Sequence, residues 1–181
     1  GDHGGGRRLR IWSAGCSTGE EAYSLAMLVK ESELFEGWDV EIVGTDLNAA
    51  AIERARAAVY GASSFRVLSD ERRARYFEPL DDGWQVRDEL RALCRFERHN
   101  LVDLESRPIG LGVDLVVCRN VLMYLSSEAR LRIVSGFYDT LGPGGCLSLG
   151  HSESLLNLST RFTLRHAERD LIYRRPSDDQ P

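Results

Sequence analysis

An alternation of apolar runs with helical segments constrains the fold of this 181-residue chain more than any other feature. The runs predicted to be strands are residues 9–13, 39–46, 95–100, 113–120 and 146–150. The segments predicted to be helices are residues 20–32, 48–58, 69–77 and 127–141. Strands that alternate with helices form a mostly parallel sheet covered on both faces. Because residues 161–166 and 169–175 have the pattern of a closing hairpin, we predict an α/β fold with a mostly parallel seven-stranded sheet and one antiparallel strand.

Two of the predicted helices have a clear apolar face. In the helix at 20–32 the expected buried residues are Ala22, Leu25, Ala26 and Val29. In the helix at 127–141 they are Leu131, Val134, Tyr138 and Leu141.

The segment between residues 58 and 95 is too long for an ordinary connection between elements. We predict that it contains a small inserted β-subdomain at about residues 77–96, with hairpin-like alternation around Asp88 and Glu89. The expected domain organisation is a flexible leader at 1–8, one main domain at 9–175 and a disordered tail at 176–181.

Composition and charge narrow the class of protein. Hydrophobic residues make up 43% of the chain, and no apolar run has the length of a membrane-spanning helix or the pattern of a signal peptide. The formal charge of -5 argues against nonspecific binding to nucleic acid. The four cysteines are scattered without zinc-binding spacing, so no metal is expected. We expect a cytoplasmic monomer that neither binds nucleic acid nor inserts into a membrane.

The positions that directly follow a predicted strand are the informative ones, because parallel sheets bind ligands beyond the carboxyl ends of their strands. These positions are AGCSTGEE at residues 14–21, Asp46, Asn100 with Leu101, and CRNVLMY at residues 118–124. Gly15 and Gly19 either let a ligand approach the backbone or simply make a tight turn. The loop lacks the lysine of a nucleoside-triphosphate loop, because the only lysine, Lys30, lies further along the chain.

Glu21 has two competing explanations. Thr18 and Glu21 have the spacing of a capping box, in which the glutamate would complete the start of the helix. Alternatively, a carboxylate at the exit of this loop would receive a cationic group of a ligand. The residues alone leave both explanations open.

Asp46 ends a predicted strand at the mouth of the expected cleft, where a carboxylate can accept both hydrogen bonds of a ribose diol. Its alternative role is to cap the helix that follows, in competition with Asn48. Asn100 and Leu101 form a polar and apolar pair that suits the edge and face of an adenine ring, but also an ordinary turn at the end of a strand.

The segment CRNVLMY leaves a buried strand with two polar residues, Arg119 and Asn120. Tyr124 follows five residues after Arg119, and we expect its ring either inside the cleft or packed in the core. His151 and Glu153 also follow a predicted strand, and we assign neither of them a role.

Taken together, these segments resemble the chemotaxis receptor methyltransferases, the CheR family. The segments that carry the resemblance are RIWSAGCSTGEEAYSLAM, GTDLN, RYFE, FERHNL, DLVVCRNVLMYL and LGPGGCLSLGHSE. The resemblance extends from about residue 9 to residue 174. It implies the Rossmann-like fold of class I S-adenosylmethionine-dependent methyltransferases. It also implies transfer of a methyl group from S-adenosylmethionine, with S-adenosylhomocysteine as product, to glutamate side chains on the cytoplasmic helices of chemoreceptors.

The resemblance further implies roles for individual residues. The positions it places against the cofactor are Ala14, Gly15, Glu21, Asp46, Asn100, Leu101, Cys118, Arg119 and Asn120. Glu21 would meet the cationic amino-acid end of the cofactor and Asp46 its ribose. Tyr124 would lie beside the reacting methyl group and act in catalysis together with Arg119.

Full-length members of the family also have a helical amino-terminal domain, which we expect this chain to lack. We therefore expect weak methyl transfer by this chain alone, since such a domain helps to enclose the site. The alternative function is a methyltransferase-fold module that binds S-adenosylmethionine, S-adenosylhomocysteine or partner proteins without turnover. A short-chain nicotinamide oxidoreductase does not fit, because it needs a lysine four residues after a tyrosine and Lys30 does not stand there.

Overall fold

The computed structural model describes residues 7–104, 109–166 and 171–177, which form two sheets and five α-helices. The strands are β1 (Arg8–Ala14), β2 (Asp39–Asp46), β3 (Val59–Tyr60), β4 (Phe77–Leu80), β5 (Gly83–Val86), β6 (Cys94–Arg98), β7 (Val113–Cys118), β8 (Leu141–Leu149), β9 (Thr163–His166) and β10 (Leu171–Arg174). The helices are α1 (Glu20–Ser32), α2 (Ala49–Ala57), α3 (Asp70–Tyr76), α4 (Asp88–Arg91) and α5 (Ser127–Thr140).

The larger sheet confirms the predicted fold class. Within the described ranges its seven strands follow the order β6-β2-β1-β7-β8-β10-β9. The first five are parallel to one another, and β10 is antiparallel to both of its neighbours. The chain moves outward from β1 to β2 on one side and later to β7 on the other. The carboxyl ends of β1, β2 and β7 therefore meet at a topological switch point, where such sheets bind ligands.

The core has one layer on each face of this sheet. Ile11 and Trp12 are adjacent in β1 and point to opposite faces, as neighbouring residues in a strand must. Ile11 belongs to the cluster formed with α1 and α2, whereas the fully buried Trp12 packs edge-to-face against Phe137 of α5, with ring centroids 5.3 Å apart. Helices thus cover both faces, as the strand–helix alternation predicts.

Most helix limits agree with the predicted ones because the capping residues are present. The side chain of Asn48 accepts hydrogen bonds from Ala50 N and Ala51 N at the start of α2. The side chain of Ser69 caps α3 in the same manner, accepting from Arg72 N. Across the described residues, no helix is both long enough and apolar enough to span a bilayer.

The buried face of α5 agrees with the predicted one in part. Val134 and Leu141 are buried as predicted, whereas Leu131 is 47% exposed and Tyr138 is only partly buried. The helix also buries Ile133, Gly136, Phe137 and Thr140, and a Cβ atom at Gly136 would lie 2.7 Å from Cδ1 of Leu104. The helix therefore approaches Leu104 along its glycine, and the residues beside Gly136 face inward.

The inserted region between α2 and β6 forms a separate sheet of three described strands in the order β3-β5-β4. The predicted hairpin around Asp88 and Glu89 is wrong, because these residues begin α4 and the hairpin joins β4 to β5 instead. The sheet also includes β3, which precedes the expected limits of about 77–96, whereas β6 pairs with β2 in the larger sheet.

The expected leader and tail fall largely outside the described residues. Of the leader at 1–8, the structure describes only Arg7 and Arg8, and Arg8 begins β1. Of the tail at 176–181, it describes 176 and 177.

Candidate functional site

The loop between β1 and α1 is hydrogen-bonded to the end of β2. Gly15 N and Cys16 N both donate to the carbonyl oxygen of Thr45, each at 2.8 Å. Trp12 Nε1 donates to the hydroxyl of the same threonine at 2.9 Å. These bonds fix the loop at the carboxyl edge of the two central strands.

Two glycines make the close approaches of this loop possible. Gly15 has φ +79°, and a Cβ atom there would lie 2.5 Å from Cγ2 of Val121. Gly19 has φ +94°, and its Cβ would lie 2.8 Å from Cβ of Ala55 in α2. A positive φ favours glycine, and contacts this short leave no room for a side chain. The loop is thus confined between the segment after β7 on one side and α2 on the other.

Glu21 points into the site rather than completing a capping box. Its Oε1 accepts a hydrogen bond from Ser13 Oγ at 2.7 Å. The residue before α1 is Gly19, which makes no side-chain cap, and Thr18 Oγ1 donates to Glu20 Oε2 at 2.6 Å. The capping-box explanation is therefore wrong, because the left-handed Gly19 moves the helix start by one residue.

The carboxylate of Glu21 lies in a partly desolvated position. Burial raises its pKa, while the hydrogen bond from Ser13 and the positive charge of Arg119 act in the opposite direction. Arg119 directly follows β7, so it leaves the same edge of the sheet as the loop that precedes Glu21. A half-buried carboxylate with one hydroxyl donor is a position where a cationic ligand group would replace lost hydration.

Asp46 fastens the loop to the end of β2. Its Oδ2 accepts from Ser17 N at 2.9 Å, and its Oδ1 accepts from Asn48 N at 2.9 Å. Asn48, not Asp46, caps α2, so the alternative role as a helix cap is wrong. Each carboxylate oxygen has further acceptor capacity beyond the one bond described.

Asn100 lies next to Asp46 because His99 N donates to the carbonyl oxygen of Asp46 at 3.0 Å. The side chain of Asn100 accepts from Val102 N at 3.4 Å and begins a 3-10 turn, Leu101–Asp103. Leu101 packs partly against the core. The pair therefore forms a strand-end turn and lies beside the aspartate as well.

The segment after β7 contains residues of very different exposure. Cys118 is fully buried, and burial raises the pKa of its thiol. Arg119 and Asn120 are exposed, and Asn120 has φ +58°. Tyr124 lies in a 3-10 turn, Leu122–Tyr124, and is 80% exposed. The alternative prediction that its ring packs in the core is therefore wrong.

Two further residues restrain the backbone around the site, and neither of them was assigned a role from the sequence. Tyr60 donates its hydroxyl to the carbonyl oxygen of Thr18 at 2.7 Å. The carboxylate of Glu153 accepts backbone N–H bonds from the segment after β7. Glu153 follows β8 at the same edge of the sheet, and its position after a predicted strand is the sequence feature that could have identified it. Across the described residues, no group of three or more His, Cys, Asp or Glu side chains could hold a metal ion.

Comparison with known proteins gives a family match over most of the chain. The sequence model of the family described as CheR methyltransferase, SAM binding domain, matches residues 2–171. Chemotaxis protein methyltransferase 1 of Pseudomonas aeruginosa is 42% identical over 179 residues, which covers 94% of this chain and 64% of that protein. Chemotaxis protein methyltransferase 2 of Vibrio cholerae is 34% identical over 177 residues, covering 96% of this chain and 61% of that protein. The chain thus spans less than two thirds of the length of these curated relatives.

Solved structures show a similar fold at low sequence identity. A TehB-like SAM-dependent methyltransferase from Corynebacterium glutamicum has a TM-score of 0.54 at 16% identity, over 93% of this chain and 79% of that one. Magnesium protoporphyrin IX methyltransferase from Synechocystis, solved with bound SAM, has a TM-score of 0.51 at 16% identity, over 94% of this chain and 71% of that one. At this identity the likeness shows the fold alone.

Proposed function

The chain belongs to the CheR methyltransferases and contains their S-adenosylmethionine-binding domain, and on that premise we propose that it methylates glutamate side chains of chemoreceptor cytoplasmic domains. The observation that carries the proposal is the family match over residues 2–171. The roles of the individual site residues are part of the proposal, and they are supported by the position of these residues at one edge of the sheet.

The residues at this edge fit S-adenosylmethionine. Glu21 offers a half-buried carboxylate to the cationic amino-acid end, and the backbone of Ala14 and Gly15 lies beside it in the loop bonded to the end of β2. Asp46 retains acceptor capacity for the ribose hydroxyls. Asn100 and Leu101 lie next to Asp46 and suit an adenine ring. Cys118 and Asn120 contribute backbone and polar contacts on the opposite side of the loop.

Methyl transfer requires the protein to align the substrate carboxylate with the methyl group and sulfur of the cofactor and to exclude water. It does not require a general base. S-adenosylmethionine supplies a methyl group on a positively charged sulfur, and transfer leaves a methyl ester and a neutral thioether. A glutamate carboxylate has an ordinary pKa of about 4.3, so near neutrality it is ionised before it enters the site. Tyr124 is exposed and can donate a hydrogen bond that orients the incoming carboxylate. The positive charge of Arg119, which acts to lower the pKa of Glu21, would attract the incoming carboxylate to the same site.

The partners of this reaction are chemoreceptor helices in the cytoplasm. This part of the proposal follows from the family and from the names of the relatives. It is consistent with the formal charge of -5, which does not favour nucleic acid.

Methyl transfer to a receptor fragment tests the function. The chain is incubated with methyl-labelled S-adenosylmethionine and a chemoreceptor cytoplasmic fragment. We expect label that is released by alkali, as methyl esters are, and that disappears when the receptor glutamates are changed to glutamine. Calorimetric binding of S-adenosylhomocysteine without any ester formation at saturating cofactor would instead support a binding module without turnover.

A further inference from the structure

The carboxylate of Glu153 accepts four backbone N–H groups, and the proposed function gives this residue no task. Its Oε2 accepts from Asn120 N at 2.8 Å and from Gly150 N at 3.0 Å. Its Oε1 accepts from Val121 N at 2.9 Å and from Met123 N at 3.3 Å. Hydrogen bonds to an ionised carboxylate are about twice as strong as those between neutral groups.

Three of these four donors belong to the segment that leaves β7, although Glu153 itself follows β8. The fourth, Gly150 N, lies at the end of β8, so the side chain joins the exits of two neighbouring strands. Asn120 has φ +58°, in the left-handed region that few non-glycine residues adopt, asparagine being among those that tolerate it best. The bond from Asn120 N to Glu153 is one restraint that holds it.

The restrained segment contacts the site on two sides. Val121 packs against Gly15, where a Cβ atom would come within 2.5 Å of its Cγ2. Tyr124 N donates to the carbonyl oxygen of Val121 at 3.2 Å, so the position of Val121 also sets the start of Tyr124. By holding Val121, Glu153 thus restrains both the loop between β1 and α1, through Gly15, and the start of Tyr124.

We propose that Glu153 is a positioning residue for methyl transfer, which fixes the segment 119–124 in the conformation that binds cofactor and orients substrate. The proposal rests on the proposed function for its catalytic consequence. Its structural part, the restraint of the segment by the carboxylate, does not.

The test compares Glu153→Gln with the matched control Asp114→Asn. Both changes turn an acid into its amide, and Asp114 also accepts a backbone N–H, from Arg10 N at 2.8 Å. Asp114 is the second residue of β7, at the end away from the site. In Glu153→Gln one oxygen becomes an NH2 group, which cannot accept from the two backbone N–H donors that face it, whereas the remaining oxygen still accepts.

The expected result is a local and functional loss in Glu153→Gln alone. Hydrogen exchange of the backbone amides in 119–124 should become about tenfold faster, and the Kd for S-adenosylhomocysteine should rise about threefold to tenfold. The kcat at saturating cofactor should fall by about tenfold, while KM for receptor changes less, because bound substrate would be misaligned. Asp114→Asn should change none of these at temperatures well below its Tm.

Unchanged exchange in 119–124, or affinity and kcat that change no more than in Asp114→Asn, would overturn the proposal. A parent chain that neither binds S-adenosylhomocysteine nor methylates would refute the proposed function, and the exchange comparison would still decide whether Glu153 restrains the segment. If Glu153→Gln does not fold, Val121→Ala keeps the four bonds and removes the contact with Gly15. Weaker cofactor binding is expected there, and unchanged binding would contradict the route through Val121.

Discussion

Glu21 shows how one residue can have a plausible local explanation that the tertiary structure does not use. The spacing to Thr18 predicts a capping box, but Gly19 at φ +94° starts the helix one residue later. Glu21 then hydrogen-bonds Ser13 in the neighbouring strand. The sequence could not decide between the two roles because the conformation of one glycine decides it.

Glu21→Gln should separate cofactor binding from stability. The amide oxygen can still accept from Ser13, while the charge that would face the cationic end of the cofactor is lost. We expect the affinity for S-adenosylhomocysteine to fall about tenfold, corresponding to about 1.4 kcal/mol. The Tm near neutral pH should stay equal or rise. Calorimetry and thermal unfolding measure both, and unchanged affinity would contradict the assignment.

The raised pKa of Glu21 predicts a pH dependence of stability. The folded chain keeps a proton on Glu21 at pH values where the unfolded chain, with its ordinary pKa of 4.5, has lost it. This contribution to the free energy of unfolding is therefore complete below pH 4.5 and is lost as the pH rises through the folded pKa. The Glu21→Gln variant does not lose stability in this way, because its amide does not ionise. Its Tm should gain on that of the parent as the pH rises above about 4.5, and parallel curves would count against a raised pKa.

Asp46→Ala should weaken cofactor binding by about tenfold or more, since each hydrogen bond to a charged group contributes roughly 1.5–3 kcal/mol. It also removes the acceptor of Ser17 N and Asn48 N, so some loss of stability is expected. Asp82→Ala, in the exposed turn after β4, is the control for loss of one negative charge. Equal affinities of the two folded variants would refute the ribose assignment.

At the scale of elements, type and position could be predicted well, whereas orientation could not. The limits of α1 and β2 agree with the predicted ranges, because strong apolar periodicity is bounded by turn residues on both sides. The buried face of α5 could be predicted only in part. Val134 and Leu141 are buried as expected, but Leu131 is exposed, and the helix buries Ile133 and Phe137 on the side where Gly136 contacts Leu104. The hairpin around Asp88 is wrong because a four-residue helix is too short to show a period.

Gly15→Ala tests the close approach of the loop between β1 and α1. Gly37 is a matched control, since it has φ +76° but a Cβ atom there would meet nothing within 4 Å. Both changes strain the backbone by about 1 kcal/mol, and only Gly15→Ala also collides with Val121. We expect a larger drop in Tm for Gly15→Ala, and weaker binding of S-adenosylhomocysteine in that variant alone. Equal losses of Tm in both variants, with equal affinity for S-adenosylhomocysteine, would mean that backbone strain alone accounts for the effect of Gly15→Ala.

At the scale of the whole molecule, the edge of the sheet that carries the site follows from strand order. Residues after predicted strands could be selected from the sequence, and Ala14, Gly15, Asp46, Asn100 and Arg119 do lie at one edge. Glu153 could not be assigned in this way, because its bonds join residues more than 30 positions apart and depend on β8 lying beside β7. Long-range restraint of this kind is a property of the folded chain alone.

A crystal structure of the chain grown with saturating S-adenosylhomocysteine would locate the cofactor site. We expect the ligand at the carboxyl edge of β1, β2 and β7, with its amino-acid end toward Glu21, its ribose on Asp46 and its adenine beside Asn100 and Leu101. A ligand bound elsewhere, for example in the pocket of about 390 Å³ lined by Phe35 and Trp38 near the start of β2, would contradict it. Crystals with no bound ligand at that concentration would contradict it as well.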